Sequence, residues 1–180
     1  MKELKGTKTE ENLKEAFAGE CQARVKYEYY ASQAKKDGYE QVAEIFWESS
    51  GNEKEHAKLW FKQLHDGAVP ATLENLKDAA AGENYEHQEM YKRMIKEARE
   101  EGFEEIAKMF EGVSGVEEEH EKRYRKLIKN IEEGLVFKGE GTTVWKCRNC
   151  GHIHVGEEAP ESCPVCKHPQ AFFEIAAENY

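Results

Sequence analysis

The 180-residue chain is poor in proline: it has four, and three of them fall after Gly134. Proline removes a backbone donor and clashes with the preceding helical turn, so little interrupts helix formation before that point. No apolar run approaches the about 18 residues of a membrane-spanning helix, and the opening MKELKGTKTEENL lacks the apolar stretch of a secretory leader. Basic residues are outnumbered, 26 Lys and Arg against 36 Asp and Glu, for a net charge of −10. Phosphate backbones are bound by basic patches, so nucleic acid is excluded as a main partner, and the absent apolar run excludes a membrane. Cysteine is scarce until the tail. Cys21 stands alone in a helical pattern and reads as a small buried or half-buried residue; the other four lie beyond Gly134. The expected location is the cytoplasm.

What is present before Gly134 is helical patterning. The pattern predicts four helices, at Thr9–Lys36, Tyr39–His65, Leu73–Glu100 and Phe103–Glu133. Each is long for a globular protein, and together they suit an all-α four-helix bundle. Thr7-x-x-Glu10 reads as a capping box for the first helix, Thr72 as the N-cap of the third, and Gly134 as the residue that closes the fourth. Two domains are predicted: a bundle over 1–136 and a small cysteine domain over 137–180.

The helical part repeats itself. SSGNEKEH (Ser49–His56) and VSGVEEEH (Val113–His120) share Ser-Gly-x-Glu-x-x-His at an offset of 64 residues. DGYEQVAEIF (Asp37–Phe46) matches EGFEEIAKMF (Glu101–Phe110), and Tyr27 matches Tyr91, at the same offset. The AGE of Ala18–Glu20 returns at Ala81–Glu83 at an offset of 63. The third helix therefore carries one extra residue between Glu83 and Tyr91, which predicts a π-bulge, a feature frequent at functional sites.

Residues three apart share a helix face. Glu53 and His56 point together, as do Glu117 and His120, and Glu83 and Glu86 form a further such pair. Glu20 and Tyr27, seven apart, share a stripe. With pseudo-twofold packing of the two hairpins, five carboxylates and two imidazoles converge. One Glu-x-x-His on a helix is ordinarily a solvated face; two at matched repeat positions, with matched partner carboxylates, are not. Two carboxylates about 4 Å apart repel by about 4 kcal/mol at an effective dielectric near 20, so the cluster calls for cations. A Glu from each of two helices with Glu-x-x-His from the other two suits two iron or manganese ions and exceeds the tetrahedral shell of zinc. Gly51 and Gly115 each cost about 1 kcal/mol inside a helix, which suggests a close helix approach beside the site. Glu86 has no twin in the first helix and would make the two metals inequivalent.

Cys147-x-x-Cys150 and Cys163-x-x-Cys166, with 12 residues between them, have the spacing of a tetrahedral four-cysteine site. Spacing alone leaves zinc and iron both open. A neighbouring redox site needs electrons, which favours a one-electron iron.

In the order Glu20, Glu53-x-x-His56, Glu83-x-x-Glu86, Glu117-x-x-His120 and a rubredoxin-like tail of four cysteines, the chain resembles the rubrerythrin family over nearly its whole length. The resemblance implies a ferritin-like bundle and a rubredoxin-like domain. It implies that those seven residues hold two irons and that Cys147, Cys150, Cys163 and Cys166 hold a third. It implies a non-haem peroxidase that reduces hydrogen peroxide to water in oxidative-stress defence, with electrons from an NAD(P)H-dependent reductase, a separate rubredoxin or both. It further implies that Tyr27 and Tyr91 hydrogen-bond to ligand carboxylates, and that one iron exchanges Glu86 for His56 with redox state. There is one departure. Rubredoxins have Gly after both cysteine pairs, whereas here Gly151 follows the first and Lys167 the second. A non-glycine residue at positive φ is expected there, with a cation that raises the potential of the iron. Two rival readings fit the same residues: an O2-reducing oxidase or ferroxidase, and an iron-binding protein with a structural zinc tail.

A ferritin-like bundle places the second and third helices parallel. The chain must then return about 28 Å along the bundle and about 10 Å across it. The eight residues His65–Thr72 reach at most about 27–29 Å. The expectation is a homodimer with swapped domains, helices one and two of one chain pairing with three and four of the other.

Overall fold

A computed structural model of the chain describes residues 3–178. The outer limits of the two predicted domains, residues 1 and 180, lie outside the described residues. The helices are α1 (Lys8–Lys36), α2 (Glu40–Leu64), α3 (Thr72–Tyr85), a π-helical turn (Glu86–Met90), α4 (Tyr91–Glu100) and α5 (Glu104–Glu132). Three strands follow, β1 (Lys138–Cys147), β2 (Ile153–Glu158) and β3 (Phe173–Ile175). These are the four helices of a ferritin-like region, the third broken by the π turn, and a small strand domain. The chain forms two compact units, 1–70 and 71–180.

In the first unit α1 and α2 form a hairpin. Thr7 Oγ1 accepts the Glu10 N–H at 3.2 Å, as the capping motif predicts, but the Glu10 carboxylate accepts the Gly6 N–H at 2.6 Å instead of that of Thr7. The turn closes with Gly38 at φ 84° and the Tyr39 N–H donating to Ala34 O at 2.9 Å. Ala31, Ala34, Ala43, Ser50 and Ala57 are buried, so the helices pack through small residues, and Phe17 and Phe61 close one end with ring centroids 5.7 Å apart.

In the second unit the broken third helix pairs with α5. Its turn copies the first: Gly102 has φ 86°, and the Phe103 N–H donates to Ala98 O at 2.8 Å. The predicted bulge is there, and the Tyr91 N–H donates to Glu86 O, five residues back. Thr72 is not the N-cap. Ala71 takes that place in extended backbone, and the Glu74 carboxylate accepts the Ala71 N–H at 3.2 Å, so Thr72 is the first helical residue. Gly134, at φ 69°, ends α5 with the Leu135 N–H on Asn130 O at 2.7 Å. Among the described residues a Cβ at Gly51 or Gly115 would meet nothing within 4 Å, so the close approach expected there is not made within either hairpin.

The strands form an antiparallel sheet in the order β2-β1-β3. Its core is Trp145, Cys147, Ala159, Cys163 and Phe173, and the Trp145 indole N–H is satisfied by Gly156 O at 3.1 Å. No helix of the described residues is long and apolar enough to cross a membrane.

Candidate metal centres

In the first unit Glu20 on α1 and Glu53 and His56 on α2 present ligand atoms within 4.8 Å of one another. His56 Nδ1 is 2.7 Å from Glu53 Oε2 and 3.8 Å from Glu20 Oε1. In the second unit Glu83 on α3 and Glu117 and His120 on α5 form the same group: His120 Nδ1 is 2.8 Å from Glu117 Oε2 and 3.6 Å from Glu83 Oε1. The repeat in sequence is thus a repeat in geometry. It extends to the tyrosines, since Tyr27 packs on Phe46 at 6.0 Å and Tyr91 on Phe110 at 5.9 Å. Within its own hairpin, among the described residues, neither tyrosine hydroxyl donates to a triad carboxylate.

Glu86, the unpaired carboxylate, opens the π turn and stands outside the second triad. It is close enough to act on it: burial, then Glu117, and against them His120, set the Glu83 carboxyl above its ordinary range, and Glu86 adds to that rise. The Tyr91 hydroxyl is likewise pushed up, first by burial and then by Glu86, Glu117 and Glu83. A half-buried carboxyl raised above its ordinary range by burial and by neighbouring carboxylates marks a place that favours positive charge. The donors, two carboxylates and one imidazole per group, suit iron and its neighbours more than a tetrahedral zinc.

The four cysteines form a second centre. Cys147 Sγ is 3.7 Å from Cys166 Sγ, and Cys150 Sγ is 3.6 Å from Cys163 Sγ. A tetrahedral ion with metal–sulfur bonds of about 2.3 Å sets sulfur–sulfur edges of about 3.8 Å, so the cage is already near the right size. Two matching knuckles hold it. The Gly151 N–H returns to Cys147 O at 2.8 Å and the Lys167 N–H to Cys163 O at 2.9 Å; the Cys147 N–H reaches His152 O at 2.9 Å and the Cys163 N–H reaches His168 O at 2.8 Å. Gly151 has φ 77° and Lys167 φ 61°, the predicted non-glycine residue in the left-handed region. The backbone N–H of His168 holds the Cys166 thiol down to about 5, against the opposing effect of burial. A thiolate ligand is therefore available at neutral pH.

One group escaped sequence reasoning. His87 Nε2 lies 2.6 Å from Glu121 Oε2, both residues being buried, and Asn84 Nδ2 and Arg125 Nε donate to the same carboxylate at 3.1 and 2.6 Å. Its trace in the sequence is a set of breaks in the repeat, among them Glu121 standing where the first hairpin has Ala57.

Comparison with known proteins agrees with this geometry. Residues 11–128 match the sequence model of the rubrerythrin family, and residues 145–174 match that of the rubrerythrin rubredoxin-like domain. The chain is 50% identical over 191 residues to rubrerythrin of Nitratidesulfovibrio vulgaris and 50% identical over 195 residues to rubrerythrin of Clostridium perfringens, all of both chains being covered each time. Rubrerythrin of Porphyromonas gingivalis is 47% identical over 190 residues, covering 99% of this chain and 95% of that one. Along its full length, and at the groups that fit two irons and a four-cysteine iron, the chain therefore belongs to the rubrerythrin family of iron oxidoreductases, proteins of oxidative-stress defence.

Proposed function

We propose that the chain is a peroxidase that reduces hydrogen peroxide to water, with electrons drawn through its four-cysteine iron from a rubredoxin, an NAD(P)H-dependent reductase or both. The observation that carries this reading is the pair of matched triads, Glu20, Glu53 and His56 in one hairpin and Glu83, Glu117 and His120 in the other, on a chain that also holds a four-cysteine cage. In this reading the triads would hold two irons, Glu86 would be a further donor that exchanges with His56, and Cys147, Cys150, Cys163 and Cys166 would hold the third iron. When bound, two ferrous ions would supply the two electrons that reduction of peroxide consumes, and an iron held by the four cysteines would supply replacement electrons one at a time.

The chain's own groups supply orientation and protons. Forming two waters takes two protons, and Tyr27 and Tyr91 flank the two triads at matched positions. The Tyr91 O–H stays protonated because burial first, and then Glu86, disfavours its anion, so it serves as a donor. The bundle domain is assigned to 1–136 and the rubredoxin-like domain to 137–180. A four-thiolate cage requires a reducing compartment, which supports a cytoplasmic setting.

We further propose a domain-swapped homodimer. Between Leu64 and Thr72 the chain has eight peptide steps, at most about 26–29 Å, and it does not use them fully extended. Asp66 and Gly67 have φ 55° and 89°, and the Gly67 N–H turns back to Lys62 O at 2.7 Å. The helices persist up to the connector, which supports the reading. Both hairpins expose apolar side chains that an assembly would cover, among them Ile45 and Trp47 on α2 and Met109 and Val116 on α5.

The test is stopped-flow oxidation of the reduced, iron-loaded protein by peroxide and by O2. Faster oxidation by peroxide is expected; oxidation by peroxide no faster than by O2 would replace this reading with an oxidase or ferroxidase. Zinc in the tail, with no visible thiolate-to-iron absorption, would remove the electron relay.

A further inference from the structure

The buried cluster on Glu121 belongs to one hairpin only. A buried carboxylate is costly unless its oxygens are paired, and Glu121, 7% exposed, accepts from His87, Asn84 and Arg125. The matching places in the first hairpin are filled differently. At the offset of 64, Ala57 and Phe61 stand for Glu121 and Arg125; at the offset of 63, Cys21 stands for Asn84. With Phe17 these line an apolar depression. A hairpin of this kind therefore packs without the cluster.

What sets the second hairpin apart is the extra residue in its π turn. His87 is the second residue of that turn, directly after Glu86, and Glu121 directly follows His120. The 2.6 Å contact between them joins the backbone behind the unpaired carboxylate to the backbone behind the triad imidazole. A helix carrying one residue in excess has no local reason to hold it at one place, because shifting the wide turn by a residue exchanges similar backbone hydrogen bonds. We propose that Asn84, His87, Glu121 and Arg125 are a positioning device that pins the π turn against α5 and so fixes where the Glu86 carboxylate lies beside Glu83 and His120. None of the four is assigned contact with metal or peroxide. The proposal rests on the reading of Glu86 as a donor to the metal site.

The experiment measures amide hydrogen exchange across residues 86–91 in the full-length chain, metal-free and iron-loaded, for the native sequence, His87→Phe and His87→Gln. In His87→Phe, exchange at the Tyr91 amide, which donates to Glu86 O, rises about tenfold or more, while α1 and α2 keep their protection. His87→Gln, which restores a donor toward Glu121, returns most of that protection. In the iron-loaded protein, oxidation by peroxide slows about tenfold or more in His87→Phe, with iron content and the tail absorption unchanged. Unchanged exchange at Tyr91, or a rise spread evenly over the second hairpin, would overturn the proposal. Should His87→Phe fail to fold, Arg125→Met, which removes one donor to Glu121 and leaves His87, is judged by the same two outcomes. Exchange in the metal-free chain is independent of peroxide chemistry, so this proposal and the peroxidase reading fail separately.

Discussion

Glu121 is held ionised inside a helical hairpin, its carboxyl lowered from 4.5 to about 2 by the His87 hydrogen bond first, against burial, with Asn84 and Arg125 adding to it. A group whose folded value is depressed contributes stability above its unfolded value and loses it as pH falls through the folded one. Glu121→Gln should therefore lower the stability of the metal-free chain at pH 7 by about 1–3 kcal/mol. The gap to the native sequence should close as pH falls from 4.5 toward about 2, the window set by the same carboxyl; urea unfolding at graded pH checks both. Lys167 is a second residue-scale case. A side chain in the left-handed region costs about 1–2 kcal/mol, and a cation beside thiolate-bound iron favours the less positive, reduced site. Lys167→Gly should raise the thermal midpoint and lower the potential of the four-cysteine iron; a potential unchanged by voltammetry would refute the electrostatic part. The positive φ of Lys167 was legible because the two knuckles repeat and the first has Gly151. The His87–Glu121 contact was not, because a pairing across 34 residues leaves no periodic signal.

At the scale of elements, the helices were legible to within one residue at their ends, because turns such as Asp37-Gly38 and Glu101-Gly102 are encoded locally. Thr72 misled because a good N-cap residue is outcompeted when a carboxylate already reaches the backbone from inside the first turn, as Glu74 does. Within each hairpin Gly51 and Gly115 misled because a helical glycine reports a missing side chain and not what faces it. The π turn was readable from arithmetic alone, one residue gained between Glu83 and Tyr91. Deleting Gln88 should restore the spacing of α1 and let the segment run as a regular α-helix. Circular dichroism should show a fold retained, while peroxide oxidation of the ferrous protein slows about tenfold or more, since Glu86 turns away from its place.

At the scale of the molecule, the swapped dimer makes a complementation prediction. One chain carries Glu53→Ala and His56→Ala, the other Glu117→Ala and His120→Ala, and each alone should be inactive. Co-expressed, half the dimers are mixed, and one of the two sites in each combines intact hairpins from different chains. Peroxidase activity should return to about a quarter of native; no recovery, with mixed dimers shown to form, would exclude swapping. The sequence by itself determined the helices, their repeat, the ligand-type residues and the cysteine knuckles, since caps, 3.6-residue periodicity and Cys-x-x-Cys spacing are all local. Only the tertiary structure decided that the sulfurs stand 3.6–3.7 Å apart, that the two triads share one geometry, and that His87 closes on Glu121 behind the π turn. Those facts depend on how side chains from distant segments are brought within hydrogen-bond reach, and packing between helices settles that.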